Sequence, residues 1–278
     1  MGIVVAARDL REDQRVALKI LRPVERMDLA VARATREARA LAQLDSEFVC
    51  RFIDDGWHES VPFLVMELLE GRSLDAELET RGALDPSEAA EYVLQACVGL
   101  AEAHATGFVH RDLKTANLFL VDQPGGRHVK VLDFGIAGLA RHVREQEARL
   151  TVSGHFLGTP YCMSPEQARN PKTADERTDV WALGVVLYEL VTGQRPFASG
   201  TVSQVLASIL MDRPRPLRDR RADVPEPLDA LVFRCLERDR TKRIQSMAHL
   251  AAGLAPLVRP EERGLAQRAA HVLSSTST

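Results

Sequence analysis

Residues Val109 to Gly135 read V-H-R-D-L-K-T-A-N-L-F-L-V-D-Q-P-G-G-R-H-V-K-V-L-D-F-G, and this stretch decides the fold. Two short apolar runs flank a turn rich in proline and glycine, a pattern that predicts a β-hairpin. A polar loop with Asp112, Lys114 and Asn117 comes before the hairpin, and Asp133 follows its second strand. The unit therefore gathers a carboxylate base, a cation, an amide and a second carboxylate around one point. Phosphoryl transfer requires such a set, because it depends on a positioned hydroxyl, metal-bound phosphates and charge stabilisation.

The motifs in this stretch resemble those of a known family. H-R-D-L-K-T-A-N at 110–117, followed by D-F-G at 133–135, is similar to the catalytic and magnesium-binding loops of protein kinases. The pattern D-L-K-x-x-N at 112–117 and the run G-T-P at 158–160 resemble serine/threonine kinases, those of bacteria in particular. The resemblance extends over residues 1 to about 258. It implies an α+β fold of two lobes, in which a small antiparallel β-sheet with one helix precedes a larger, mainly α-helical lobe.

The same resemblance suggests how the chain is divided. Residues 1–70 are expected to form the N-terminal lobe, and residues 71–258 the helical lobe with the catalytic loop and the activation segment. The boundary is expected between Glu67 and Arg72. After Pro260 the chain turns polar and ends S-S-T-S-T, so residues 259–278 are expected to be a frayed or disordered polar tail.

The resemblance implies a role for each polar residue of the catalytic loop. Asp112 would accept or orient the proton of the substrate hydroxyl, and Lys114 would stabilise charge on the transferred phosphoryl group. Asn117 and Asp133 offer the hard oxygen ligands that Mg²⁺ prefers. His110 is expected to be a packed core residue without an acid–base role.

Nucleotide contacts are implied upstream. V-A-L-K at 16–19 is similar to the kinase strand whose lysine, here Lys19, pairs with the α- and β-phosphates of ATP. Glu37 lies in a stretch of strong helix formers, residues 29–44, and would hold that lysine. Met66 would be the gatekeeper, the backbone of Glu67 and Leu69 would face the adenine edge, and Phe119 would form the floor under adenine. The residues expected to contact ATP are Gly2, Val4, Ala17, Lys19, Met66, Glu67, Leu69, Phe119 and Asp133.

Residues 133–166 resemble an activation segment that ends in S-P-E, and they contain two hydroxyls, Thr151 and Ser153. In this family such hydroxyls are frequent phosphorylation sites, and Arg111 would pair with the new charge. Self-association for autophosphorylation is therefore expected. Glu166 is expected to form an ion pair with Arg243.

Residue patterns predict the order of strands and helices. Apolar runs at 3–7, 16–21, 49–53 and 62–71 predict strands, and D-D-G at 54–56 predicts a turn. Asp85, Pro86 and Glu88 form a helix start, and Gly107 is the predicted stop. Residues 178–190 predict a buried helix whose Asp179 ties down the catalytic loop. Further helices are predicted near 202–211, 228–236 and 247–257.

Composition limits the class of protein. The chain has 278 residues, of which 45% are hydrophobic and 27% charged, with net charge −3, so a folded core is expected. No broad basic excess favours a nucleic-acid partner; the basic run at 213–221 is interpreted as a solvated loop in preference to an anion-binding patch. The four cysteines lack metal or disulfide spacing, and no apolar run is long enough to span a membrane. These features favour a cytoplasmic location.

The resulting hypothesis is a serine/threonine protein kinase that transfers the ATP γ-phosphate to protein hydroxyls with Mg²⁺. One alternative is a catalytically weak or silent scaffold of the same fold, which the presence of Lys19, Asp112, Asn117 and Asp133 disfavours. A small-molecule phosphotransferase is disfavoured by the full activation segment. A P-loop enzyme is disfavoured because G-x-x-x-x-G-K-[ST] is absent from the sequence.

One departure concerns the glycine-rich loop that covers the ATP phosphates in similar proteins, G-x-G-x-x-G-x-V. The sequence begins M-G-I-V, which matches only the last part of that motif. Two explanations are open. Either Met1 is an internal methionine of a longer reading frame, which we favour, or the protein is truncated and binds ATP weakly. Without that first strand, the strand from Ile3 is expected to be an uncovered sheet edge.

Overall fold

A computed structural model describes residues 3–21, 44, 46–59, 61–123, 126–134, 160–197 and 200–275. Within these residues an antiparallel sheet comes first, and helices dominate from residue 74 onward. This arrangement confirms the predicted α+β fold with a small β lobe and a larger helical lobe. No helix in the described part of the chain combines the length and apolar character needed to cross a membrane.

The small sheet has four strands in the order β1-β2-β4-β3, and all neighbours are antiparallel. Their bounds are β1 Ile3–Asp9, β2 Gln14–Ile20, β3 Phe52–His58 and β4 Val61–Glu67. Strand β1 lies at one edge, and Ile3 and Val4 are 59% and 56% exposed there. The two central strands, β2 and β4, carry the buried side chains Val16, Leu64 and Val65.

The prediction of a turn at D-D-G was wrong. Asp54, Asp55 and Gly56 lie inside β3, and the chain turns at Glu59, whose φ is +53°. Gly56 faces the ring of Phe63 on β4, and an added Cβ would lie only 2.5 Å from its Cζ. The glycine therefore permits close packing between strands. Glycine occurs at this position because of a contact between strands and not because of a turn, so the local turn signal was misleading.

The predicted hairpin after the catalytic loop is confirmed. Strands β6, Leu118–Gln123, and β7, Gly126–Val131, pair antiparallel, and β5, Gly71–Ser73, adds to β6. Val129 and Val131 are fully buried, whereas Lys130 between them is not. This alternation places one face of the hairpin on the helical core.

Two long helices, Pro86–Ala105 and Arg177–Thr192, form the centre of the helical lobe. Helix α1, Leu74–Arg81, precedes α2, Pro86–Ala105, which begins where Asp85 accepts hydrogen bonds from the backbone N–H groups of Ser87 and Glu88. As predicted, α2 ends before Gly107, whose φ of +83° suits glycine. The short helix α3, Pro165–Arg169, leads to α4, Arg177–Thr192, which is buried almost all round. Such burial explains why the sequence of α4 is apolar on every face.

The remaining described helices surround α2 and α4. They are α5 Val202–Met211, α6 Leu217–Arg220, α7 Glu226–Cys235, α8 Met247–Leu254 and α9 Gly264–Ser275. Short 3₁₀ turns occur at Thr115–Asn117, Pro160–Cys162, Pro171–Thr173, Ala255–Leu257 and Pro260–Glu262.

The prediction of a frayed tail over residues 259–278 was wrong for Gly264–Ser275, which form helix α9. Helix α9 packs against α2 and α8, with Ala266 and Ala269 buried in the interface. Arg268 donates to Glu102 on α2 and to Glu47, and its guanidinium lies 5.2 Å from the centre of the Phe48 ring. The small buried side chains give only a weak apolar pattern, so the polar composition concealed the helix.

Replacing Ala269 by Asp tests whether α9 is part of the core. The side chain of Ala269 is fully buried, so an aspartate there would be an unpaired buried charge. We expect the free energy of unfolding to fall by roughly 2–4 kcal/mol in a urea titration. Ala270→Asp is the matched control, because Ala270 is exposed. Equal stability of the two variants would show that α9 does not contribute to the core.

Candidate active site

Three strands of the small sheet, β1, β2 and β4, place four of the predicted ATP contacts on one face. Val4 lies opposite Lys19, Ala17 lies two residues from Lys19 on the same strand, and Met66 lies opposite Ala17. Directly opposed residues, and residues two apart on one strand, share a face of the sheet. The sequence pattern and the strand register therefore agree on which face is the candidate nucleotide surface.

Lys19 connects this face to the helical lobe. Its Nζ lies 2.6 Å from Oδ1 of Asp133, and the two side chains are 12% and 32% exposed. An ion pair that is partly shielded from water is screened less than a surface pair. The contact joins residues far apart in sequence that were both assigned to the phosphate end of the site.

The backbone around Asp133 is held in an unusual conformation. Asp133 has a φ of +63°, a left-handed value that is uncommon for a residue with a side chain. Next to it, Phe134 is buried, and its ring lies edge-on to His110 with centroids 4.8 Å apart. Strained backbone of this kind persists only where surrounding contacts determine it, and such positions cluster at functional sites.

His110 is fully buried and bonded at both ring nitrogens. Nε2 lies 2.8 Å from the carbonyl oxygen of Leu132 and must donate to it, and Nδ1 accepts from the backbone N–H of Asp112 at 3.3 Å. Both contacts are satisfied by the neutral imidazole. The geometry therefore agrees with the expectation that His110 packs and does not transfer protons.

Three polar residues of the catalytic loop are close together. Lys114 Nζ lies 3.2 Å from Oδ2 of Asp112, and Nδ2 of Asn117 donates to the backbone carbonyl of Asp112 at 2.8 Å. The backbone carbonyl of Asn117 accepts in turn from the N–H of Leu132. The loop and the strand that leads to Asp133 are thus linked by hydrogen bonds at both ends.

Asp179 on α4 fixes the backbone at the start of the same loop. Its two carboxylate oxygens accept the backbone N–H groups of His110 and Arg111 at 2.8 Å, and Nε2 of His104 also donates at 2.8 Å. Burial alone would raise the pKa of Asp179, but the hydrogen bonds from His104 and the backbone outweigh it and hold the pKa below its ordinary value. Arg111 has a φ of +66°, so Asp179 stabilises a second strained position. This confirms the predicted anchoring role.

The hinge end of the site contains a contact that the sequence analysis missed. Lys130 on β7 donates to Oε1 of Glu67 at 2.6 Å, and the same oxygen accepts from the backbone N–H of Arg51 at 2.7 Å. The side chain of Glu67, and not only its backbone, therefore joins the end of β4 to the hairpin. The only local signal was a lysine between two buried valines on β7. Phe119 lies opposite Lys130 on β6 and is half-buried.

Glu166 and Arg243 form the expected ion pair, which is bidentate at 2.7 and 3.0 Å. Burial would raise the pKa of Glu166, but the hydrogen bonds and charge of Arg243 keep it below the ordinary value. The guanidinium also lies 5.2 Å from the centre of the Trp181 ring, which is stacked on Phe197. The pair therefore fixes the end of the activation segment to the core.

The donor set fits a magnesium ion that is shared with phosphates. Because Nδ2 of Asn117 is committed to the backbone, its Oδ1 is the atom left for a metal, and Asp133 supplies a carboxylate. Mg²⁺ is often held by one or two protein oxygens, with substrate phosphates and water as the other ligands. The described residues contain no group of three or more His, Cys, Asp or Glu side chains that could hold a metal ion.

Several predicted site residues lie outside the described residues, namely Gly2, Glu37, Thr151 and Ser153. The pairing of Lys19 with Glu37 therefore stays a prediction. At the other end of the activation segment, burial raises the pKa of Cys162 to about 12, so this thiol is protonated at neutral pH and is not a nucleophile.

The fold and this set of residues define a protein kinase domain. The family model for the protein kinase domain matches residues 1–253, and the chain belongs to that family. Among its relatives, serine/threonine-protein kinase PknB of Mycolicibacterium smegmatis is 36% identical over 259 residues, which cover 91% of this chain and 40% of that protein.

Two further relatives give the same result. Serine/threonine-protein kinase PknB of Mycobacterium tuberculosis is 35% identical over 91% of this chain and 40% of its own length. A probable PknB of Corynebacterium glutamicum is 35% identical over 93% of this chain and 40% of its own length. The chain thus spans two fifths of the length of the curated relatives it matches.

Asp179→Asn tests the anchor of the catalytic loop. The asparagine amide has one acceptor oxygen where the carboxylate has two, so we expect the free energy of unfolding at pH 7 to fall by roughly 2–4 kcal/mol. A carboxylate whose pKa is lowered by folding stabilises the native state above its unfolded pKa of about 3.9, and this contribution is lost as the pH falls through the native pKa. Denaturant titrations from pH 7 to pH 3 should therefore show a shallower acid decline in the variant.

The control is Asp122→Asn, since Asp122 is exposed on β6. This variant should behave like the parent protein across the whole pH range. The anchoring role of Asp179 is contradicted if Asp179→Asn has the parent's stability at pH 7 and the parent's acid decline.

Proposed function

We propose that this chain is a catalytically active serine/threonine protein kinase domain that transfers the γ-phosphate of ATP to protein hydroxyls. The observation that carries the proposal is the ion pair between Lys19 and Asp133, which joins the small sheet to a loop containing Asp112 and Asn117. The relatives' printed names supply the serine/threonine class. A silent scaffold has no need to keep all four of these side chains.

In the proposed reaction the hydroxyl oxygen of the substrate attacks the γ-phosphorus, and ADP leaves. Asp112 orients the hydroxyl and accepts its proton. Lys114, 3.2 Å from the Asp112 carboxylate, stabilises negative charge on the transferred group. The fixed backbone of the loop supports this role, because positioning supplies much of the rate enhancement when the protein contributes no covalent chemistry.

Asp133 and the Oδ1 of Asn117 are the proposed magnesium ligands. Mg²⁺, when bound, neutralises charge on the phosphate oxygens. Lys19 would contact the α- and β-phosphates, with Glu37 as its second partner. Bound phosphates and metal would provide charged partners for Lys19 and Asp133 in place of their direct ion pair. Until then, the contact between the two side chains keeps both near the positions required for binding.

Adenine is proposed to lie against the sheet face formed by Val4, Ala17 and Met66, with Phe119 below it. The backbone groups of Glu67 and Leu69 would read its edge. We place the lobe boundary between Glu67 and Arg72, which is supported by the end of β4 at Glu67. Gly2, which precedes β1 in the sequence, is proposed to contact the phosphates. A domain that consumes ATP works where ATP is supplied, so the proposed location is the cytoplasm.

Single substitutions at the base and at the metal ligand test the proposed reaction. Asp112→Asn and Asp133→Asn should each lower phosphate transfer by at least about 100-fold, because each removes an interaction of the transition state. Transfer is measured with labelled ATP, Mg²⁺ and a generic basic protein as acceptor. Thermal unfolding midpoints should stay close to that of the parent.

Asp219→Asn, at an exposed position on α6, is the control and should leave transfer unchanged. If the parent protein transfers no phosphate although it is folded, the scaffold alternative is correct. Parent-like turnover in either active-site variant would contradict the assignment of that residue.

We further propose autophosphorylation at Thr151 or Ser153, with Arg111 as the partner of the added phosphate. Incubation with ATP followed by phosphopeptide mapping should find phosphate at one of these positions, and the rate should rise with protein concentration if one copy modifies another. The Asp112→Asn variant should acquire none. An active enzyme with both hydroxyls unmodified would show that this segment is not regulated by phosphate.

A further inference from the structure

A cavity lined by charged and polar residues lies on the helical lobe. Its volume is about 430 Å³, and it lies between the end of α3, the start of α4 and the loop that follows α7. Four arginines contribute to its walls, namely Arg169, Arg177, Arg238 and Arg240. None of the residues assigned above to ATP, Mg²⁺ or the substrate hydroxyl lines it. The cavity is therefore a separate feature of the domain.

Two of these arginines share one carboxylate. Arg177 Nη2 lies 2.7 Å from Oδ2 of Asp175, and Arg240 Nη1 lies 3.1 Å from the same oxygen. The single negative charge of Asp175 is thus shared between two guanidinium groups. The pKa of Asp175 lies below its ordinary value because these hydrogen bonds and charges outweigh the effect of burial, so the carboxylate is ionised at neutral pH.

The two carboxylates in the wall of the cavity are already committed. Glu166 is bound in bidentate geometry by Arg243, which is itself fully buried. Asp239 accepts from the side-chain hydroxyl and the backbone N–H of Thr241 at 2.7 and 3.0 Å. Neither carboxylate makes an ion pair with a wall arginine among the described residues.

Arg238 and Arg169 add positive charge without a carboxylate partner among the described residues. Nε of Arg238 donates to the carbonyl oxygen of Ile209 at 3.1 Å, but its Nη2 is buried and has no hydrogen-bond partner there. A buried donor without an acceptor is unfavourable, and no anion among the described residues balances the charge of Arg238. Arg169, at the end of α3, is exposed and forms no ion pair within the described part of the chain. The cavity thus has excess positive charge and unused guanidinium donors.

We propose that this cavity binds a phosphate monoester, the group carried by a phosphorylated serine or threonine side chain. Guanidinium groups match the oxygens of phosphate with paired hydrogen bonds, and a phosphate monoester carries close to two negative charges at neutral pH. A water molecule takes up about 30 Å³ in the liquid. The cavity volume of about 430 Å³ is many times larger, so it accommodates the phosphate together with the side chain that carries it.

Calorimetric titration in the absence of ATP tests the proposal independently of kinase activity. The probes are a five-residue alanine peptide with one central phosphothreonine, the same peptide with threonine, and inorganic phosphate. We expect the phosphopeptide to bind and the threonine peptide not to bind. Arg169→Gln and Arg238→Gln should each weaken phosphopeptide binding about tenfold, the usual effect of losing one charge-assisted hydrogen bond.

Arg218→Gln is the matched control, because Arg218 is exposed on α6 and does not line the cavity. It should leave the affinity unchanged. Arg169 supports no other described contact, so its variant stays interpretable even if Arg238→Gln fails to fold. If inorganic phosphate binds as tightly as the phosphopeptide, with the same dependence on Arg169, the site takes free phosphate. Absence of phosphate-dependent binding, or equal affinity in Arg169→Gln and the parent, overturns the proposal.

Discussion

The buried carboxylate of Asp179 is the constraint on which the rest of the site depends. A charge in the protein interior is unfavourable unless hydrogen bonds replace its lost water, and three donors do so here. Two of the donors are consecutive backbone N–H groups, at His110 and Arg111, so the carboxylate sets the direction of the chain as it enters the catalytic loop. Because α4 is buried on nearly every face, Asp179 has no freedom to follow a moving loop.

A buried ion pair extends this fixed base to the end of the activation segment. Glu166 and Arg243 are joined by two hydrogen bonds, and Thr178 on α4 also donates to Glu166, so the end of the activation segment at Glu166 is tied to α4. A buried ion pair is weak grounds for a gain in stability, since the cost of desolvation offsets much of the attraction. Its effect is to specify position. Packing of Arg243 on Trp181 adds the shape complementarity that charge alone does not provide.

The sequence predicted the structural features that neighbouring residues determine, and it missed those that depend on contacts between distant residues. The cap at Asp85 and the hairpin from Leu118 to Val131 are set by neighbouring residues, and both were predicted. Gly56 was misread because its purpose is to make room for Phe63 on the next strand. Helix α9 was missed because it buries mostly alanines against α2, which leaves little apolar signal.

The site shows the same division between local and long-range causes. The resemblance to protein kinases singled out Lys19, Asp112, Asn117 and Asp133 as proposed site residues, because their motifs occur in the same order as in that family. The link between Glu67 and Lys130 was not visible, because it forms only when the two sheets are placed side by side. Nothing in the alternation of β7 distinguishes a lysine facing solvent from one that reaches the hinge.

The hydrogen bonds of Leu132 have a consequence for how the domain opens. Its N–H is held by Asn117 and its carbonyl by His110, so one peptide segment is bonded to both ends of the catalytic loop. The loop cannot unravel and leave the strand before Asp133 in place, nor can that strand detach alone. In the language of amide hydrogen exchange, the two belong to one cooperative unit, and their slowest amides report the same opening event. Partial unfolding would therefore remove the proposed base and the proposed metal ligand together, leaving no half-assembled site.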